Sequence, residues 1–272
     1  MYTETICDQL RNIQELQFKT MVEVDKICRK SGVKYYIVGG TLLGAIRHGG
    51  FIPWDDDIDV AMMRIDYDKF IQIAEKVLPE KYFLQNYKTD KYCCMPFARI
   101  RINNTIFEES YISHLNCHKG IYIDIFPLDV VPESEMLRKF HKIALYCLDK
   151  SIMSKLKVMP RTLFKKIIMW ILYILTFPFP RKWLGEKLDR LMKKYNFLDS
   201  KFVCNTTDPR VYEKRVLDKK IYGNPTEILF NGYKVMAPEK WEEYLRNLYG
   251  DYLELPPLNK RISRHNIINV KL

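Results

Sequence analysis

Val38-Gly39-Gly40-Thr41-Leu42-Leu43-Gly44, followed after a short link by Trp54-Asp55-Asp56-Asp57-Ile58-Asp59-Val60, is the stretch on which the reading of this chain turns. Lys34 to Val38 is a β-branched and aromatic run that predicts a strand. Gly39-Gly40 breaks it as a tight turn, and Thr41 to Arg47 predicts a short helix. Asp57 to Met62 then alternates as a second strand. The carboxylates of Asp55, Asp56, Asp57 and Asp59 repel one another, which a fold tolerates on a solvated loop or around a cation. Apolar neighbours on both sides, Phe51-Ile52-Pro53-Trp54 and Val60-Ala61-Met62-Met63, argue against the solvated loop. The competing reading is a helix cap followed by an acidic turn. In a strand, residues i and i+2 share a face, so Asp57 and Asp59 point one way while Ile58 and Val60 enter the core. Two carboxylates on one face make a hard oxygen site suited to Mg²⁺ or Mn²⁺.

A third acid is offered by Tyr122-Ile123-Asp124-Ile125-Phe126, where Asp124 is the one charge in an apolar strand and needs a partner or a metal. Three carboxylates from neighbouring strands can hold two metal ions. Asp129, just past Pro127, reads instead as a turn or cap residue. The Gly39-Gly40-Thr41 turn brings backbone close to a ligand and offers helix N–H groups to a phosphate. Arg47 and His48 lie between the two elements, where a phosphate would be met; the plainer reading of Arg47 is a solvated helix end.

The surrounding pattern is an α/β (α+β) unit, a mixed sheet flanked by helices. A helix is predicted over 4–31, ended by Ser31-Gly32, and another over Tyr67 to Leu78, stopped by Pro79. Phe97–Ile102 and Ile121–Phe126 are further strands. Later, Tyr233–Val235 reads as a short strand and Pro238–Tyr249 as a helix. The expected division is a catalytic core over 1–132, a helical, basic and apolar insertion over 133–215, and a C-terminal part over 216–272 that completes the core.

The net charge is +11. Twelve lysines and arginines against two acids lie between Lys150 and Lys194, so that stretch alone carries +10. A protein that coats nucleic acid often spreads its charge over the fold; here it is concentrated, and no nucleic-acid partner is expected. Seven cysteines without a C-x-x-C pair predict neither a disulfide framework nor a zinc ribbon. Cys93-Cys94 and Cys117-His118 are too irregularly spaced for a zinc site and read as free thiols. The polar, acidic start Met1-Tyr2-Thr3-Glu4 is not a signal peptide, so the expected location is cytoplasmic.

The block from Gly39 to Asp59, with Arg47-His48-Gly49-Gly50-Phe51-Ile52-Pro53-Trp54 at its centre, resembles the signature of the LicD family. So do Phe97-Ala98-Arg99-Ile100-Arg101, Asn103-Asn104-Thr105 and Gly120 to Asp129. The resemblance continues in Tyr222-Gly223, Pro238, Tyr249-Gly250-Asp251-Tyr252, Pro256-Pro257 and His265. It covers roughly 20–130 and 215–268, and 133–215 matches poorly. It implies a nucleotidyltransferase-type fold with metal ligands at Asp57, Asp59 and Asp124. It also implies transfer of phosphocholine, or a related phospho-alcohol, from a CDP-linked donor to a hydroxyl of a cell-surface glycan such as lipopolysaccharide, teichoic acid or capsule. Fukutin-related proteins use a similar core for ribitol phosphate. Asp124 would then be a ligand, a general base or both. Arg99, Arg101 and His265 are candidates for phosphate contact, set against surface salt bridges. Choline asks for aromatic rings, with Tyr35, Tyr36, Tyr122 and Tyr233 among the candidates.

Ile167 to Phe179 is apolar but short of the ~20 residues a spanning helix needs. Lys165-Lys166 precede it and Arg181-Lys182 follow. The stretch 161–183 therefore reads as a helix lying on the inner face of the membrane, with a buried core helix as the alternative. Two rival functions remain: a nucleotidyltransferase acting on RNA or a small molecule, and a non-catalytic membrane adaptor.

Overall fold

The first predicted helix forms as α1 (Glu4–Ser31). It buries Ile13, Gln17, Met21, Val24 and Cys28 at helical spacing. It stops where Gly32 takes φ +60°, a left-handed conformation glycine adopts without strain. The structure, a computed structural model, describes residues 4–158, 160, 162–263 and 265–272, with side chains from Gln9 onward. Arg161, at the start of the expected membrane stretch, and the Cys7 side chain lie outside the described residues.

The chain continues through β1 (Tyr36–Ile37), α2 (Gly39–His48), β2 (Asp59–Met63), α3 (Arg64–Val77), β3 (Tyr82–Gln85), β4 (Ala98–Ile102), β5 (Ile106–Glu109) and β6 (Tyr122–Val130). Three helices follow: α4 (Glu135–Lys155), α5 (Leu163–Thr176) and α6 (Arg181–Met192). After β7 (Phe202–Cys204) and β8 (Val216–Asp218) come α7 (Lys219–Tyr222), β9 (Thr226–Phe230), β10 (Tyr233–Ala237), α8 (Trp241–Tyr249) and β11 (Ile267–Lys271). The fold is thus the expected α/β arrangement, a mixed sheet with helices packed on it.

The main sheet has the order β1-β2-β6-β4-β3, extended by β7 on the far end of β6 and by β8 beside β7. Only β2 and β6 run parallel; the other neighbours are antiparallel. Their alternation separates two faces. Val60, Met62, Ile123, Ile125, Ala98 and Ile100 are buried on one, and the charged row of the site occupies the other.

Four details differ from the sequence reading. Gly39 and Gly40 open α2 rather than forming a separate turn before it. Asp57 precedes β2 instead of lying in it. β6 runs on through Pro127 to Val130. The antiparallel pairing of β6 with β4 ends at Ile125 and that with β7 begins at Asp129. Pro127 falls between them, where its missing N–H forfeits no ladder bond. Finally, 133–215 is helical only in its first part, since β7 joins the sheet. α4 and α6 rest on a second apolar core formed by Leu145, Ile152, Leu184, Leu188 and Met192 with Val131 and Tyr212.

Asp129 is therefore a fully buried strand residue, not a turn or cap. Arg64, at the start of α3, grips it with Nε–Oδ1 at 2.7 Å and Nη2–Oδ2 at 2.6 Å. Asn196 donates to the same carboxylate at 2.7 Å, and Arg64 Nη1 also reaches Asp189 of α6 at 3.1 Å. This cluster ties the helical segment to the sheet. Removing one partner of a buried pair leaves the other charge without compensation. Arg64→Met should cost about 3–5 kcal/mol of folding stability, read from the midpoint of denaturant unfolding. A loss below about 1 kcal/mol would place the attachment of the helical segment elsewhere.

Candidate active site

Strand register sets the site. Asp59 of β2 lies directly opposite Asp124 of β6, and Asp124 lies opposite Arg99 of β4. Asp57 arrives from the loop before β2. Ligand oxygens of Asp57, Asp59 and Asp124 all lie within 4.8 Å of one another. The three acids read from the sequence thus form one cluster, although Asp57 reaches it from a loop rather than along a strand face.

The glycines explain how the carboxylates fit. A Cβ on Gly39 would stand 2.7 Å from Asp59 Oδ2, and one on Gly40 would stand 2.5 Å from Asp55 Oδ2. Gly39 also has φ +58°. Here the two glycines admit carboxylates against the start of α2. Thr41 does not offer its hydroxyl to the cavity: its Oγ1 accepts a hydrogen bond from the Asp59 backbone N–H at 2.8 Å, fixing the first residue of β2 to the helix.

Burial and mutual repulsion raise the affinity of these acids for protons. Burial, then the charges of Asp59 and Asp55, push Asp57 well above the usual carboxylate range. Asp59 is pushed up to about 7 by burial and by Asp124 and Asp55, with Arg215 and His265 opposing. Asp124 is also raised by burial, against the pull of Arg99. No hydrogen-bond donor among the described residues reaches the Asp59 carboxylate. A hard divalent cation is the partner such a donor set fits.

Arg99 is buried rather than exposed to phosphate or solvent. Its Nε holds Asp124 Oδ1 at 2.7 Å, its Nη1 holds Glu109 at 2.8 Å, and it lies 3.7 Å from the Tyr122 ring centroid. Arg101 is committed farther along the sheet to Gln85 Oε1 and the Gly120 carbonyl, at 2.5 and 2.6 Å. Neither arginine forms a surface salt bridge, and neither lines the cavity. Arg99 orients Asp124; Arg101 is structural.

His265 is placed by pairing of β11 with β5, which returns the C-terminal segment to the acids. Its Nδ1 lies 2.8 Å from Asp56 Oδ1 and its Nε2 lies 3.8 Å from Asp57 Oδ2. Burial alone lowers the imidazole pKa, but the hydrogen bond to Asp56 and that carboxylate's charge outweigh it and push it up to about 9. His265 is therefore cationic at neutral pH and offsets part of the acidic charge.

The acids open into a cavity of about 940 Å³ lined also by Gly39, Gly40, Arg47 and His265. Arg47 turns two N–H groups to the Tyr252 and Glu254 carbonyls, at 3.2 and 3.1 Å, while its Nε is buried without a partner. Lys214, Arg215 and Lys260 face the same space, and none forms an ion pair among the described residues. Sequence reading missed these cations, because their loops meet the acids only through tertiary structure. The cavity's rings are Trp54, Phe126, Tyr222, Tyr244, Tyr249 and Tyr252. Tyr35, Tyr36, Tyr122 and Tyr233, singled out as aromatic candidates, are not among them. Tyr35 and Tyr233 instead donate to Asp25, at 2.6 and 2.7 Å. Among the described residues, the acid clusters around Asp57 are the groups arranged for a metal, and Cys93, Cys94, Cys117 and His118 form no such group.

Residues 32–160 match the family model described as LicD/FKTN/FKRP, nucleotidyltransferase domain. The lipopolysaccharide cholinephosphotransferase LicD of Haemophilus influenzae is 26% identical over 250 residues, 88% of this chain and 89% of that protein. A match of that coverage cannot omit the whole of 133–215, so the segment is less foreign to such relatives than its sequence suggests. An uncharacterized protein of Rickettsia typhi is 31% identical over 130 residues, 45% of this chain and 38% of its own length. The ribitol 5-phosphate transferase FKRP of Homo sapiens is 39% identical over 62 residues, 21% of this chain and 12% of that protein.

Repulsion among the acids gives a test. A carboxylate whose folded pKa is raised destabilises the fold as pH rises through that pKa. Asp59→Asn should therefore raise the metal-free melting temperature by roughly 2–4 °C, the shift that ~1 kcal/mol gives in a chain of this size. Because the folded value is about 7, the gain should be larger at about pH 8 than at about pH 5. The same substitution should abolish calorimetric Mn²⁺ binding. A variant that melts lower without metal, at either pH, would mean that protein donors already satisfy Asp59.

Proposed function

This chain belongs to the LicD family through residues 32–160, and we propose that it transfers phosphocholine, or a related phospho-alcohol, from a CDP-linked donor to a glycan hydroxyl. The observation that carries this reading is the convergence of Asp57, Asp59 and Asp124 on a cavity whose other walls hold Lys214, Arg215 and Lys260. Acids and cations without ion-pair partners lining one cavity suit a substrate with a metal-bound diphosphate. The names of the bacterial and human relatives, a cholinephosphotransferase and a ribitol 5-phosphate transferase, agree in the class of group moved.

In this reading the acceptor is a cell-surface glycan or its lipid-linked precursor, met from the cytoplasmic face of the membrane. Asp57, Asp59 and Asp124 would hold Mg²⁺ or Mn²⁺, which supplies charge neutralisation of the diphosphate. Lys214, Arg215 and Lys260 attract the donor's phosphates, and the unpartnered Nε of Arg47 adds a donor in the same wall. Arg99 keeps the Asp124 carboxylate aimed at the cluster. The acceptor hydroxyl oxygen attacks the phosphorus that carries the alcohol; the bond from that phosphorus to CMP breaks, and the hydroxyl proton passes to a carboxylate. Catalysis is then chiefly positioning and electrostatics. The cavity's rings would meet a choline headgroup.

The test is release of CMP from CDP-choline, CDP-ethanolamine, CDP-glycerol and CDP-ribitol, with and without Mg²⁺ or Mn²⁺, with a glycan-lipid extract as acceptor. One donor should turn over in a metal-dependent way. Asp57→Ala and Asp59→Ala should each lower that turnover by about 10³-fold or more while the protein stays folded. Incorporation of labelled CTP or ATP into RNA, with every CDP-alcohol inert, would replace this reading by nucleotidyl transfer.

A further inference from the structure

α5 lies outside the economy of a soluble fold. Ten of its fourteen residues are exposed, and Met169 alone is buried. Eight of those ten are apolar: Phe164 is 73% accessible, Trp170 56% and Ile174 66%. A core helix of this composition would bury a face, so the alternative raised by the sequence is excluded by the packing. α4, which packs against α5, adds an exposed stripe of Met136, Phe140 and Ile143 on the side opposite its buried Leu145 and Ile152. Patches of this extent mark a surface that binds something.

The charges around the patch identify the occupant. Lys165 and Lys166 stand exposed in the first turns of α5, and Lys182 and Lys187 lie on α6 just beyond. None of these four forms an ion pair among the described residues. Aromatic rings fill the boundary between apolar and charged surface. Trp170, Tyr173 and Phe177 follow one another edge to face at 5.8 Å, and Phe179 stacks on Trp183 at 4.5 Å. Lys155 lies over the Tyr173 and Phe177 rings, and Lys187 over Trp183. Basic groups rimming an apolar helix, with Trp and Tyr between, are complementary to an anionic bilayer surface and its headgroup layer.

A straight span does not fit. No single helix among the described residues is long and apolar enough to cross, and α5 meets the following helical stretch, Arg181–Tyr195, at 103°. Fourteen residues extend about 21 Å, against ~30 Å of hydrocarbon. We infer that α5, with the exposed stripe of α4 and the basic start of α6, is an in-plane anchor that seats this protein on an anionic membrane.

None of these helices lines the cavity, so the anchor and the acid cluster are separable. The inference does not depend on which group the enzyme transfers. It predicts that the full-length protein co-sediments with vesicles of phosphatidylcholine and phosphatidylglycerol at low salt. Binding should weaken at least about tenfold with phosphatidylcholine alone or when the salt is raised. Trp170→Glu with Ile174→Glu, and separately Lys165→Glu with Lys166→Glu, should each cost about tenfold or more in vesicle affinity. Both should leave the melting temperature and calorimetric Mn²⁺ binding unchanged, because the changed side chains already face solvent. Equal binding to neutral and anionic vesicles would overturn the inference, as would wild-type protein that stays in the supernatant. A dimer in solution that Trp170→Glu converts to a monomer, without vesicle binding by either form, would assign the patch to a second copy of this chain.

Discussion

Repulsion among the carboxylates at Asp57, Asp59 and Asp124 is the constraint around which the structure is arranged. Three acids with ligand oxygens within 4.8 Å of one another are unfavourable unless cations face them. The chain supplies cations from three directions. Arg99 comes from the adjacent strand, His265 from the returning C-terminal segment, and Arg215 from the loop before β8. These lighten the repulsion without cancelling it, and burial still holds all three acids above their usual range. Repulsion of this kind is relieved by a divalent cation, and its cost is met by stability elsewhere.

That stability comes from packing and from buried pairs that are fully satisfied. The apolar face of the sheet supplies the first. The bidentate Arg64–Asp129 pair supplies part of the second and joins β6 to the helical segment through Asp189 and Asn196. Residues 133–215 therefore form an attached layer with its own core, whose far end returns to the sheet as β7 before giving Lys214 and Arg215 to the cavity. One segment thus couples an apolar outer surface to the wall of the site.

The close fit around the acids also explains small residues that a ligand-centred view would assign to phosphate. Gly39 and Gly40 leave room for the Asp59 and Asp55 carboxylates, and Thr41 spends its hydroxyl on the Asp59 backbone. A similar closeness holds where β9 and β10 turn. Asn231 and Gly232 both take positive φ, the geometry of a two-residue hairpin. Asn231 also donates its N–H to the Gly49 carbonyl at 2.8 Å, which binds the hairpin to the end of α2.

By itself the sequence determined the elements whose chemistry is local. Alternation around Val60, and one acid in the apolar run at Asp124, identified Asp59 and Asp124 because strand periodicity fixes which residues share a face, whereas Asp57 joins them from the preceding loop. The length and spacing of α1, and the short helix through Arg47, were legible from helical periodicity, although the glycine pair read as a turn and instead opens α2. Tertiary structure decided whatever depends on what covers a residue. Arg99 and Arg101 alternate with apolar residues as on a half-exposed strand, yet β4 is interior to the sheet and both are buried. Asp129 follows a proline and reads as a turn, yet β6 continues through a gap in its neighbours. His265 meets Asp56 only because β11 pairs with β5, a closure across more than half the chain that no local pattern encodes. The apolar run of α5 reads in sequence as a membrane-surface helix, with a core helix as the alternative. Only the packing, which buries Met169 and little else, places it outside. Periodicity specifies a residue's side of its own element; burial is a property of the neighbours that long-range closure brings to that side.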